Sequence, residues 1–270
     1  MPAPRGGGFA CQFPGGLRVP GAGAAMQRLA GSAPSMVKKY KQVIWDWNGT
    51  IFSDVALSIE IINGLLRPRG LPLVDEESYR ARFTIPVKNY YVRLGFDFAK
   101  EPFEIVGKLW MDEYERRKFE CGLYEGIVGI LDKISQLGIG QSILSAYAQH
   151  TLEEMVDHYG LRKYFTHVAG LDNIYAASKL HLGKALIKRL GAGKQEAVVI
   201  GDTEHDYDVA CAIGADCILV ANGHQSKARL EALGVPVLDD IKQLVLKSGG
   251  LASHEDAGSG PAGKCRQDWA

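Results

Sequence analysis

The sequence contains no apolar run near the ~18 residues that a membrane-crossing helix requires, so the reading excludes a membrane-spanning protein. Cysteine is scarce. None of the five (Cys11, Cys121, Cys211, Cys217, Cys265) lies in a C-x-x-C pair or at a metal-ligand spacing, so neither a zinc finger nor a disulfide scaffold is expected. They read as reduced thiols of a cytoplasmic protein, with Cys211 and Cys217 in apolar, core-forming stretches. Net charge is also absent: 31 basic residues balance 31 acidic ones. That gives no electrostatic case for a nucleic-acid partner or an acidic membrane surface. No internal repeat is evident, and nothing in the sequence marks an oligomeric state.

What is present is apolar: 46% of the 270 residues are hydrophobic, enough for one domain with a smaller insertion. Residues 1–36 are rich in Gly, Ala and Pro without a hydrophobic period and are expected to be a disordered extension. Met36 reads as a more natural beginning. A second disordered tail is expected over 249–270. Between them, apolar strands alternate with amphipathic helices. Strands are expected at Gln42–Asp46, Gln141–Ser145, His167–Gly170, Ala197–Gly201 and Cys217–Val220, with a short one at Val235–Leu238. The last helix is expected at Ile241–Leu246. This alternation predicts an α/β protein with a Rossmann-like parallel sheet, covered on both faces. The core is assigned to 37–56 and 125–248. Residues 57–124 do not alternate and read as helices only, at Asp75–Arg82, Pro86–Leu94 and Glu101–Lys118. They predict a small all-helical cap inserted after the first strand, with its own aromatic core.

Ligands bind at the carboxyl ends of parallel strands, and the sequence places chemistry there. Val43-Ile44-Trp45 ends in Asp46 and turns through Asn48-Gly49-Thr50. Val198-Val199-Ile200-Gly201 ends in Asp202, with Asp206 one helical turn further on. Ser145 closes another strand, and Lys179 precedes a helix. Taken singly, these are ordinary turns, caps and a solvated lysine. In this order they describe a phosphoryl-transfer site. Asp46 is the candidate nucleophile, because a carboxylate can form an acyl-phosphate. Asp46, Asp202 and Asp206 are oxygen ligands of the kind Mg²⁺ takes. Ser145 and Lys179 are placed to hold the phosphoryl group.

Asp46-Trp47-Asn48-Gly49-Thr50, Leu144-Ser145, Lys179 and Gly201-Asp202-Thr203-Glu204-His205-Asp206 resemble the four ordered motifs of the haloacid dehalogenase superfamily, over about Lys41 to Leu246. The resemblance is to phosphoglycolate-phosphatase-like members with a helical cap. It implies Mg²⁺, an aspartyl-phosphate on Asp46 and metal binding by the backbone carbonyl of Asn48. The implied substrate is a small phosphorylated metabolite. One departure stands out. Phosphatases of this family carry a second aspartate, a general acid and base, where this chain has Asn48. A carboxamide cannot exchange a proton near neutral pH. Slow turnover, a preference for good leaving groups, and another proton carrier (His205 or His224) remain open. So do two other functions. One is C–P or C–halogen hydrolysis, the former needing an amine such as Lys88 or Lys108. The other is non-catalytic phosphate binding.

Overall fold

The computed structural model describes residues 40–175, 178–193, 195–247 and 250–252. The extension expected over 1–36 lies outside them. Strand β1 (Gln42–Trp45) opens the fold and is followed by the two-residue β2 (Phe52–Ser53). Four helices come next: α1 (Val55–Leu66), α2 (Glu76–Arg82), α3 (Val87–Arg93) and α4 (Phe103–Arg117). β3 (Gly122–Leu123), α5 (Ile127–Gln136), β4 (Gly140–Ala148) and α6 (Gln149–His158) return the chain to the sheet. β5 (His167–Leu171), α7 (Leu180–Leu190), β6 (Ala197–Gly201), α8 (Glu204–Ile213) and β7 (Asp216–Val220) continue it. α9 (Lys227–Glu231), β8 (Val237–Leu238), β9 (Val245–Lys247) and β10 (Gly250–Ala252) complete the described chain.

The main sheet has the order β5-β4-β1-β6-β7-β8, and all its pairings are parallel. β1 lies between β4 and β6 and is hydrogen-bonded on both sides, which is why it is apolar throughout. Its side chains alternate between faces. Val43 and Trp45 join the core under α5 and α6, while Ile44 joins the core shared with α7 and α8. The helical segment has a core of its own, built from Ile62, Leu66, Tyr79, Tyr90, Tyr91, Phe96 and Phe103. Chain entry and exit to this segment are pinned together by antiparallel β2–β3 pairing, Phe52 opposite Leu123 and Ser53 opposite Gly122. No helix among the described residues is long and apolar enough to cross a membrane. Cys121, Cys211 and Cys217 carry no disulfide, with Cys217 buried as expected and Cys211 half-buried.

Four local expectations change. The helix expected at Ile241–Leu246 is a single 3₁₀ turn, Ile241–Gln243, followed by β9. Asp240 caps that turn by accepting from the Lys242 amide, and β10 then pairs with β9 in place of further helix. β10 also puts 250–252 of the expected tail into a strand; 253–270 lie outside the described residues. The strand expected at Val235–Leu238 shrinks to Val237–Leu238, because Pro236 has no amide for the ladder. β4 runs on to Ala148, with a register shift after Leu144. Ser145 therefore sits at an irregularity within β4 and not at its end.

The helical segment is also tied to the core at a second place. Arg80 of α2 donates to the carbonyls of Ala221 and Asn222 at 3.2 and 2.9 Å. In return, Gln225 Nε2 donates to the Phe83 carbonyl, and Arg229 Nη1 to those of Ala81 and Phe83. These bonds strap α2 over the loop that follows β7.

Candidate active site

β1 delivers Asp46 to the carboxyl edge of the sheet, where the Asp46 amide donates to the Ile200 carbonyl at 2.8 Å. The chain then folds back on itself. The amides of Thr50, Ile51 and Phe52 all donate to the Trp47 carbonyl. Gly49 has φ +76°, and a Cβ there would lie 2.3 Å from Asp202 Oδ2 and 2.6 Å from His224 Cδ2. Only glycine satisfies both the conformation and the space. This is the physical reason for the Asn-Gly pair in the motif.

Asp202 follows β6 and Asp206 lies in the first turn of α8. Thr50 Oγ1 donates to Asp202 Oδ1 at 3.2 Å, and the His224 amide donates to Asp202 Oδ2 at 2.5 Å. Asp206 Oδ2 accepts from the Asp202 and Thr203 amides and from Thr203 Oγ1, so it also fixes the loop that presents Asp202. Lys179 Nζ donates to Asp46 Oδ1 and to the Leu144 carbonyl, and lies 2.6 Å from Asp206 Oδ1. Ligand oxygens of Asp46, Asp202 and Asp206 all fall within 4.8 Å of one another. Ser145 is buried, its Oγ accepting from the Tyr147 amide at 3.1 Å.

A second cluster adjoins the first and was not legible in the sequence. Asp54, which precedes α1 in the place of a helix cap, makes no cap bond. Its carboxylate accepts instead from the Gly49 amide (3.1 Å), Asn48 Nδ2 (2.8 Å) and Tyr114 Oη (2.8 Å), and lies 3.3 Å from His224 Nε2. Asn48 Nδ2 also donates to Tyr114 Oη at 2.7 Å. Tyr79 Oη meets His224 Nδ1 at 2.9 Å. The missed residues are thus Asp54, Tyr79 and Tyr114. Their sequence signals, an acid before a helix and two tyrosines among many, resemble those of caps and core.

The electrostatics follow from four buried carboxylates facing two cations. Burial, with Asp206 and Asp202 nearby, outweighs Lys179 and holds Asp46 well above the usual carboxylate range. Burial pushes Asp202 up to about 6 despite His224. Burial acts on Asp206 and Asp54 as well. Lys179 nevertheless lowers Asp206, and His224, Tyr114 and Asn48 lower Asp54. Against burial, Asp206 and Asp46 keep Lys179 charged, and Asp54 and Asp202 raise His224 to about 9. His205 is lowered to about 4 by burial and by Lys179, whose backbone amide donates to its Nε2. A neutral acceptor at that position is no proton donor. With all carboxylates ionised, two negative charges are left uncompensated, and three of the acids converge. That donor set fits a hard divalent cation.

All six residues expected in the site (Asp46, Asn48, Ser145, Lys179, Asp202 and Asp206) lie here. Asp46, Asn48, Ser145, Lys179 and Asp202 line a cavity of about 120 Å³ that continues between the sheet edge and the helical segment. Asp206 stands behind them, reached through Lys179. Lys88 and Lys108, the amines a C–P hydrolase would need, do not line it. Lys88 lies over the rings of Phe98 and Phe103, and Lys108 pairs with Asp112.

Comparison with known proteins gives a consistent family. The profile of haloacid dehalogenase-like hydrolases matches residues 43–220. A phosphoglycolate phosphatase of Pseudomonas savastanoi pv. phaseolicola is 24% identical over 233 residues, 81% of each chain. The tyrosine-protein kinase PtkA of Mycobacterium tuberculosis is 22% identical over 184 residues, 67% of this chain and 62% of that protein. The solved structure of a haloacid dehalogenase-like hydrolase from Streptococcus pneumoniae has the same fold, with a TM-score of 0.61 at 17% identity. It covers 74% of this chain and 93% of that one.

Proposed function

The chain belongs to the haloacid dehalogenase-like hydrolases, and from that premise we propose that it is a Mg²⁺-dependent hydrolase of small phosphate monoesters, acting through an aspartyl-phosphate on Asp46. The observation that carries the reading is Lys179 Nζ, held between Asp46 and Asp206, with Asp202 beside them at one end of a cavity. Asp46, Asp202 and the Asn48 backbone carbonyl would hold Mg²⁺, with Asp206 supporting the site, and the ion supplies charge neutralisation at the phosphoryl oxygens.

The chain's own residues do the rest. An Asp46 carboxylate oxygen forms a bond to phosphorus as the bond from phosphorus to the leaving oxygen breaks. Lys179 offsets the negative charge that gathers at the attacking oxygen and the phosphoryl group. The Ser145 hydroxyl donates to a phosphoryl oxygen. Water then attacks phosphorus, frees Asp46 and releases orthophosphate. Asn48 has no proton to give, so the departing oxygen takes its proton from water. The phosphoglycolate phosphatase name of one relative supports the reaction class.

Phosphate release from a panel of monoesters, with Mg²⁺ and with chelator, tests this. Release is expected only with Mg²⁺, and Asp46→Asn is expected to abolish it while circular dichroism stays unchanged. Full phosphate release in chelator favours a metal-free, dehalogenase-like mechanism. Orthophosphate binding without turnover of any substrate favours a non-catalytic phosphate binder.

A further inference from the structure

Resting on the phosphatase reading, we infer that the leaving group is a phenol: the substrate is an aryl phosphate with no second anionic group.

The first observation is the wall of the cavity. Beyond the acids, it is made by Phe83, Ile85, Tyr91, Phe103, Trp110 and Met111. These side chains offer ring faces and apolar edges, which suit an aromatic leaving group. The aromatic wall and the acids line one continuous space, so a ring carried by the phosphate would lie against these side chains. Tyr90 lines the same space, and its buried hydroxyl has no partner among the described residues.

The second observation is charge. A substrate such as 2-phosphoglycolate carries a carboxylate beyond its phosphate, and that group needs a cation. Among the described residues, the cavity has only Lys179 and His224, and both are already paired with buried acids. Asp54 lines the same cavity and engages His224 at 3.3 Å, so that cation is not spare for a further carboxylate. An anion placed against the aromatic wall would be desolvated without compensation.

The third is Asn48. Its amide nitrogen is engaged by Asp54 and Tyr114, and the position supplies no proton to the leaving oxygen. An alkoxide leaving group, whose conjugate acid is near water's pKa of ~15.7, needs that proton. A phenolate, with a pKa near tyrosine's ~10, departs without it. The lining and the missing acid are separate facts, and they select the same ester.

The test compares kcat/KM for phenyl phosphate, benzyl phosphate and 2-phosphoglycolate with Mg²⁺. Phenyl phosphate is expected to exceed 2-phosphoglycolate by at least about 10²-fold, the scale of lost acid assistance. Benzyl phosphate keeps the ring but leaves as an alkoxide. It should share the KM of phenyl phosphate within a few-fold and lose in kcat. Phe83→Leu should raise KM for phenyl phosphate several-fold. Should that variant not fold, calorimetry of phenyl phosphate on the Asp46→Asn protein gives an independent reading, with tighter binding than orthophosphate expected. Equal or better turnover of 2-phosphoglycolate overturns the aryl assignment and leaves the phosphatase reading standing. No turnover of any ester, together with no orthophosphate binding, overturns the phosphatase reading and this inference with it.

Discussion

At the scale of single residues, Asn48 and Asp54 have to be considered as a pair. An amide and a carboxylate 2.8 Å apart form one hydrogen bond. Asn48→Asp alone would set a half-buried carboxylate against the buried one of Asp54, so one must hold its proton or the pair must separate. We expect the single variant to melt several degrees lower, about 5 °C for a loss of 1–2 kcal/mol. The exchange Asn48→Asp with Asp54→Asn keeps one acid and one amide, and should recover most of that loss. It should also raise turnover of benzyl phosphate relative to phenyl phosphate. Thermal melts and the ratio of the two rates check both points; a single variant as stable as the parent would contradict the pairing.

His224 makes a prediction in pH. Its folded value of about 9 lies above the ordinary 6.5, against burial, because of Asp54 and Asp202. A raised folded value contributes stability that is fully present below about pH 6.5 and is lost as pH rises through about 9. A shift of this size corresponds to ~3 kcal/mol. Denaturant unfolding in chelator should therefore show His224→Gln costing most at pH 6 and little at pH 10. A constant difference across that range would assign His224 a packing role only.

Among elements, the contact between α2 and the loop after β7 decides how tightly the cavity is covered. Arg229 supplies donors to Ala81 and Phe83 and pairs with Glu204 at 2.7 Å. Arg229→Ala should leave the sheet intact, speed amide exchange over Glu76–Arg82 and raise KM more than it changes kcat. Protection of α2 equal to the parent's would show that Arg80 and Gln225 suffice. This strap also marks where the sequence stops being informative. The strands carrying Asp46 and Asp202 are legible because each is a short apolar run ended by glycine or an acid, a local pattern with a local cause. Asp54 is not, because its meaning comes from Tyr114, 60 residues away, and from His224 beyond. The two-residue strands β2 and β3 leave no period to read. The turn at Ile241 reads as helix in the sequence because its apolar spacing suits either, and the Asp240 carboxylate caps it as a single turn by accepting from the Lys242 amide.

For the whole molecule, the balance of 31 basic and 31 acidic residues conceals a local excess of negative charge at the sheet edge. Binding to the folded state alone raises stability by ~2.7 kcal/mol at a hundredfold excess over Kd. Mg²⁺ at that level should raise the melting temperature by about 5–10 °C, and chelator should reverse it. An Asp202→Asn protein should gain much less, and an equal gain would place the ion elsewhere. The last consequence belongs to the β2–β3 pairing. Because Ser53 and Gly122 are ladder partners, everything between them leaves and re-enters the core through a single doorway. That stretch is thereby a cassette, and Asp46, Lys179, Asp202 and Asp206 all lie outside it, while Asp54 and Tyr114 belong to it and reach Asn48. Exchanging it for another helical unit with the same doorway would replace the aromatic wall and keep those four residues in place, provided that the new unit brings its own partners for Asn48 and His224, a modularity open to evolution and to engineering alike.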